Sequence, residues 1–394
     1  MIGSVLVTCS AKSNDSAAKA EVQAIFSSVT SQQSPGLAVL VQQNGRIVFQ
    51  RGYGARELRS FAPNGQQTDF RLASCTKQFT AMAVMLLVHD GKLRYDEPLT
   101  EIFPGFPAYG RSITVRNLLN HTSGLPDYEE LMEKAGGVAR WTPERQISDS
   151  EVLALLESES RGKFAPGTQW SYSNSGYVVL GLVVAKVSGK SFPQFLRERI
   201  FAPLGMDHTL AYVKGTNQVP DRAYGHSKKD KGFEESDQSS TSATLGDGGV
   251  YSNLEDLAKW DTSLTKHTLL SEPEMRPALV PFKLPDGSLP AHWAGGVGDS
   301  DPLAGKPVAY GFGWYLDAYK GHSRMWHYGD TVGFKSAIER FPDEKLTVIV
   351  LANRSDLDAA ALALRVVDLF LPASATAASS AASNGSRART LSAR

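Results

Sequence analysis

Residues 70–80 read FRLASCTKQFT, and the chain runs on as AMAVMLLVH to His89. Everything from Ser74 to His89 is apolar on nearly every helical face, so the pattern predicts a buried helix that opens at Ser74. Ser74 and Lys77 stand three positions apart, which on a helix puts both side chains on one face within hydrogen-bond reach. A serine hydroxyl is a poor nucleophile until a nearby base takes its proton. A lysine can do so when desolvation or neighbouring cations lower its pKa. The same S-x-x-K spacing recurs at Ser16/Lys19, Ser160/Lys163 and Ser263/Lys266. Only Ser74 opens a buried apolar helix, where a lysine is costly enough to need a purpose.

Outward from that helix the organisation is mixed. Before it, Gly36 to Gln42 and Arg46 to Tyr53 are β-branched-rich runs separated by Gln43, Asn44 and Gly45, a hairpin signal whose Asn-Gly supplies positive φ. Far behind it, Gly311 to Leu316, Met325 to Tyr328, Phe334 to Phe341 and Leu346 to Leu351 also read as strands. Between the two sets the helical patterns Ser150 to Glu157, Gly176 to Ser188 and Phe192 to Ile200 dominate. The expected fold is therefore α/β (α+β), with one antiparallel sheet built from both chain ends, flanking helices and an inserted, mainly helical domain. The boundaries fall at 16–90 and 245–371 for the sheet domain and 91–244 for the insertion. Gly215 to Ser242 and Leu284 to Pro307 read as long loops that would wall a cleft. Residues 1–15 form an N-terminal extension whose apolar patch, Ile2 to Val7, lacks the basic and hydrophobic regions of a signal peptide. If it is a trimmed export signal the protein is periplasmic or secreted, and otherwise cytoplasmic. Residues 372–394 are Ala/Ser-rich without apolar periodicity and are expected to be disordered.

Composition narrows the function classes. The 394 residues hold 41 Lys+Arg against 41 Asp+Glu, a net charge of zero. That balance speaks against a nucleic-acid partner, because such binding rests on clustered cations. The longest apolar stretches, Ala81 to Val88 and Tyr177 to Val187, fall short of the ~18 to 20 residues of a membrane span. Cys9 and Cys75 are the two cysteines, too few for a disulfide scaffold or a multi-cysteine metal site. G-x-S-x-G, H-E-x-x-H and a strand-to-helix G-x-G-x-x-G are all missing, and Gly189-Lys190-Ser191 has Val184 where a phosphate loop needs Gly. The eight histidines show no ligand spacing, so neither metal nor cofactor is expected.

Two further elements fit serine chemistry. In Tyr172-Ser173-Asn174 the phenol can shuttle a proton and the amide can orient a lysine or a substrate. Tyr251-Ser252-Asn253 repeats the pattern, but there Ser252 and Glu255 read as a capping box. In His327-Tyr328-Gly329 a strand glycine would let a substrate backbone lie alongside and would aim the Asp330 N–H at a developing oxyanion. Its counterpart His89-Asp90-Gly91 reads as a helix end.

The ordered set S-x-x-K, then Y-x-N, then K/H-x-G on a late strand resembles the serine β-lactamase and penicillin-binding-protein superfamily, in its class C-like branch. Asn117 to Leu125 (NLLNHTSGL), Pro203 to Thr209 (PLGMDHT), Gly248 to Ser252 (GGVYS) and Tyr310 to Trp314 (YGFGW) extend the resemblance over roughly residues 20 to 370. It implies that Ser74 is acylated, that Lys77 shares in proton abstraction, that Tyr172 is general base and acid, and that Asn174 holds the substrate amide and Lys77. It further implies an oxyanion hole made by the N–H groups of Ser74 and Asp330, with His327 lining the site and Asn120, Gly329 and Phe334 contacting substrate. Whether Lys77 or Tyr172 takes the first proton stays open.

The histidine in place of the lysine of efficient class C β-lactamases resembles DD-peptidases and D-amino-acid peptidases. A His327 that faced the substrate would become a cation for a carboxylate at low pH, and the acidic Asp330 would weaken anionic substrates. Cys75 is expected to be small packing. The reading is a serine acyl hydrolase acting on D-amino-acid peptides, amides or esters, with a β-lactam as a possible covalent ligand. The alternatives are a promiscuous carboxylesterase with weak β-lactamase activity and a non-catalytic sensor or self-assembling structural protein. The oligomeric state is not legible.

Overall fold

A computed structural model describes residues 17–295 and 304–372. The N-terminal extension with Cys9, the stretch 296–303 of the second expected loop, and the tail from 373 onward lie outside the described residues. Strands β1 (Leu37–Gln43) and β2 (Arg46–Tyr53) form the expected hairpin, with Asn44 at φ 52° and Gly45 at φ 72° in the turn. From the other end come β8 (Tyr315–Tyr319), β9 (His322–Thr331), β10 (Phe334–Phe341) and β11 (Leu346–Ala352). All pair antiparallel in the order β2-β1-β11-β10-β9-β8, so the pairing of β1 with β11 joins the two chain ends inside the sheet.

These two strands are mostly apolar, Leu37 to Val41 and Val348 to Ala352 without a break, because both faces of the sheet are covered. Leu37, Val39 and Val41 with Val348 and Val350 meet the helices at 17–25 and Ala359–Val367. Ala38, Leu40, Ile349 and Leu351 face the other way, into a core shared with Phe79, Leu118, Trp141 and Val183. The period-2 alternation of the strand thus feeds two separate cores. The core holding the Lys77–His89 helix runs without a break into the helical interval, where the Asn174–Ser188 helix lies against it.

The local signals explain most boundaries. Ser148 caps Asp149–Glu157 through a capping box, and Ser173 caps Asn174–Ser188 through its Oγ on Gly176 N. Phe192–Leu196 runs on through a wider turn at Arg197–Phe201. Gly91, at φ 68°, ends the turn after His89 as read.

Three expectations are corrected. The interval Gly215 to Ser242 contains a hairpin, β5 (His226–Lys228) with β6 (Phe233–Glu235), too short and polar to show a strand pattern. Residues 311–314 are not strand, because Gly313 sits at φ 79° with its Cα side against Gln78, and β8 begins only at Tyr315. Ser252 does not cap the Leu254–Lys266 helix. Asn253 does, accepting from Asp256 N at 2.9 Å, while Ser252 lies in β7 (Val250–Ser252) and bonds Thr209 Oγ1. With β3 (Phe70–Arg71) and β4 (Leu210–Ala211), β7 makes a small sheet that holds the approach to Ser74. Among the described residues no helix is long and apolar enough to cross a membrane.

Candidate active site

Ser74 lies in a tight 3₁₀ turn, Ala73–Thr76, that leads into the Lys77–His89 helix. Ala73 enters that turn at φ 47°, a left-handed conformation unfavourable for a residue with a Cβ. The turn is held from outside. Val250 N donates to Thr76 Oγ1 at 3.1 Å, and Cys75 Sγ donates to the His327 carbonyl at 3.3 Å. Cys75 is fully buried, and burial raises its thiol pKa. It packs and ties the turn to β9, which fits the packing expectation.

Lys77 is fully buried. Its ammonium donates to Ser74 Oγ at 3.1 Å, Asn174 Oδ1 at 2.8 Å and the Asp247 carbonyl at 3.0 Å, so all three of its protons are engaged. Desolvation lowers its pKa to about 8, against the opposing pull of the Asp247 carboxylate. Tyr172 stands over it, with Lys77 Nζ 4.7 Å from the ring centroid, and its phenol lies beside the Ser74 side chain. Burial pushes the phenol pKa well above its ordinary value, so Tyr172 is a protonated donor at neutral pH. The S-x-x-K and Y-x-N residues therefore converge.

His121 shapes the wall behind them. Its ring lies 4.6 Å from Tyr172, its Nδ1 accepts from Ser173 N at 3.1 Å, and burial holds it neutral. The Y-x-N segment thereby rests on the N-H-T-S-G-L segment.

His327 is brought to this wall, but not as a cation. It is 2% exposed, its Nδ1 meets its neighbour's carbonyl, Tyr328 O, at 2.7 Å and its Nε2 meets Tyr310 Oη at 3.1 Å. Burial first, then the Lys77 charge, pushes its pKa down to about 3. The expected low-pH carboxylate anchor is therefore corrected to a neutral, buried ring.

The β9–β10 turn has only Val332 and Gly333 between Thr331 and Phe334. The pair flanking so short a turn is hydrogen-bonded, and alternation along the strand then turns the Asp330 N–H away from β10, toward the open edge. That orientation suits the oxyanion role implied for it. The Asp330 carboxylate is solvent-exposed and paired with Lys335, so its charge is largely offset near the site.

The three residues expected to contact substrate are placed otherwise. A Cβ on Gly329 would come within 2.1 Å of the Leu72 carbonyl, so its glycine serves the close approach of β9 to the Ser74 turn. Phe334 is fully buried, edge-on to Tyr251 and beneath Gly225. It supports the turn from the core. Asn120 is buried, with its Oδ1 taken by Thr122, and lines a different pocket.

Other residues complete the site. Glu129 and Asp247 line the cavity at Ser74 together with Tyr128, and Glu129 has its pKa raised by burial and by Asp127 and Asp247. Arg71, on the same cavity, donates to the carbonyls of Ser242 and Gly248. The sequence signal for Glu129 was slight, an acidic pair just after the Asp127 helix cap. Among the described residues no three His, Cys, Asp or Glu side chains are grouped to hold a metal ion.

This fold and this serine-lysine-tyrosine grouping define a serine hydrolase, and the family model described as Beta-lactamase matches residues 19–370. The chain belongs to that family. It is 30% identical over 348 residues to penicillin-binding protein 4* of Bacillus subtilis, covering 85% of this chain and 72% of that protein. It is 28% identical to a D-aminopeptidase of Cereibacter sphaeroides, over 82% of this chain but only 57% of the relative's length. Among solved structures it is similar to the D-amino acid amidase of Ochrobactrum anthropi, with a TM-score of 0.71, 25% identity and coverage of 90% and 98% of the two chains. An octameric penicillin-binding protein homologue of Pyrococcus abyssi gives 0.72 at 25% identity, covering 90% of this chain and 76% of that one.

Proposed function

We propose that the protein is an acyl hydrolase that forms a covalent acyl-enzyme on Ser74 with D-amino-acid peptides, amides or esters. The observation that carries this reading is the threefold bonding of Lys77. Asn174 Oδ1 and the Asp247 carbonyl can only accept, so they fix two N–H bonds of the nitrogen. When Lys77 loses its third proton the lone pair is left pointing at Ser74 Oγ. A pKa near 8 makes that neutral form accessible near physiological pH. Lys77 would then take the Ser74 proton as Oγ attacks the carbonyl carbon. The Ser74 and Asp330 N–H groups would stabilise the oxyanion, and Tyr172, a protonated phenol beside Ser74, would deliver a proton to the leaving nitrogen or oxygen. Water attack on the acyl-enzyme, with the same groups acting in reverse, completes hydrolysis.

The substrate class rests on charge. The cavity at Ser74 carries the carboxylates of Glu129 and Asp247 against the single guanidinium of Arg71, which is bonded to two carbonyls, while Asp330 is paired with Lys335 and His327 is held neutral, so the wall favours a substrate with an ammonium group over one with a carboxylate. A D-amino acid amide or a peptide with a free D-amino terminus meets that description, in keeping with the names of the D-aminopeptidase and the D-amino acid amidase. A rate panel tests it. D-phenylalanine amide should be turned over with a kcat/KM at least ~10-fold above that of a D-Ala-D-Ala-terminated peptide blocked at its amine, and above that of benzylpenicillin. The reverse order would reject the substrate assignment while leaving Ser74 chemistry intact.

A further inference from the structure

Tyr310, whose hydroxyl meets His327 Nε2, also walls a second pocket of about 370 Å³ that includes none of Ser74, Lys77 and Tyr172. Three cations reach it from separate segments: Arg116 from the Val115–Leu119 helix, Arg276 from the Glu272–Leu279 helix, and Lys283 just beyond that helix. Arg116 is held in place by its neighbours, its guanidinium 4.9 Å from the Tyr95 ring centroid and 5.9 Å from that of Phe312. No carboxylate lines the pocket among the described residues. Glu274, on the same helix as Arg276, is engaged elsewhere, accepting from Ser271 N at 2.9 Å and meeting His89 Nδ1 at 2.5 Å.

An independent feature points the same way. Asn120 is 1% exposed and forms part of the pocket wall. Its Oδ1 accepts from Thr122 N and Thr122 Oγ1, which fixes the amide's orientation, and its Nδ2 is buried with no partner. Buried polar groups are ordinarily satisfied, so an orphaned donor in a pocket wall is a place for an acceptor. The pocket is therefore lined by two guanidinium groups and an ammonium, with the unpartnered Asn120 amide in its wall and aromatic rings at Tyr310 and Phe312.

We propose that this pocket binds a small oxyanion, a phosphate- or carboxylate-bearing molecule distinct from the substrate at Ser74. Guanidinium forks match both oxyanions in a bidentate manner. Because Tyr310 walls the pocket and bonds His327, occupancy is linked to the back of the catalytic wall.

Isothermal titration of the full chain with inorganic phosphate and, separately, with citrate at low ionic strength tests the site. At least one should bind saturably with a Kd below about 1 mM, and the arm that binds identifies the chemistry, with binding of both indicating a general oxyanion site. Arg276→Gln combined with Lys283→Gln alters two exposed side chains, spares the core, and should weaken binding at least ~10-fold. Arg46→Gln, an exposed cation on β2, should not change it. Ser74→Ala should bind the anion as the wild type does, so the outcome is independent of whether Ser74 is acylated. Lack of saturable binding of either anion, unchanged binding in the double variant, or loss of binding in Ser74→Ala would each overturn the proposal.

Discussion

Lys77 sets the pH behaviour of the site. Its pKa is lowered to about 8, and the reactive form of a general base is the neutral one. The kcat/KM for a neutral ester should therefore rise with pH and level off above about 8, the inflection reporting the free enzyme. A profile flat from pH 6 to 9 would mean that another group takes the Ser74 proton. His327 gives the opposite expectation. With its pKa pushed down to about 3 it is neutral across the working range, so the ratio of kcat/KM for a carboxylate-bearing substrate to that for a neutral ester should not change as pH falls from about 8 to about 5.5. A several-fold rise would show a protonated His327 facing substrate. Ser74, Lys77, Tyr172 and Asn174 were legible because each pair is fixed by short helical or cap spacing. Glu129, Asp247, His121 and Tyr310 were not, since they reach the site only by tertiary packing; His121 and Tyr310 lie in stretches that carry the resemblance, but nothing in those stretches attaches a role to either side chain. The charge state of His327 was equally hidden, because burial decides it and a lone histidine on a strand carries no burial signal.

At the scale of elements, the contact between β9 and the Ser74 turn matters most. Gly329→Ala would drive a methyl to within 2.1 Å of the Leu72 carbonyl and push β9 from the turn. We expect a stability loss of about 2 to 3 kcal/mol and a kcat loss of at least ~100-fold, since the Asp330 N–H is the next residue along. Thermal melts and single-substrate kinetics check both; near-normal activity would remove Asp330 from the oxyanion hole. Cys75→Ala deletes only the Sγ bond to the His327 carbonyl and a small volume, and should cost less than about 1.5 kcal/mol with activity kept. Inactivation of a folded Cys75→Ala would give the thiol a chemical part. The long strands and buried helices could be read because their apolar periods are sustained over many residues. The β5–β6 hairpin could not, because strands of three residues, paired partly through Ser227 and Ser236 side chains, leave no period to detect. The start of β8 was misplaced for a different reason. Gly313 bends the chain to approach Gln78, and an apolar run cannot show such a bend.

For the whole molecule, the antiparallel sheet from both chain ends was readable from where the strand patterns fell, whereas the continuity of its core with the helical interval was not. Phe79, Trp141, Val183 and Ile338 belong to one buried cluster, so the sheet and the helices share their principal source of stability. Calorimetry should show a single transition with matching calorimetric and van't Hoff enthalpies, and two resolved transitions would mean that the helical interval holds its own core. The most direct test of the whole account is the intact mass of the protein after incubation with a fluorophosphonate, followed by peptide mapping. The account predicts one stoichiometric adduct on Ser74, lost in Ser74→Ala together with about 10⁴-fold or more of kcat. An unlabelled wild-type protein, or an adduct on another serine such as Ser160 or Ser263, would contradict it.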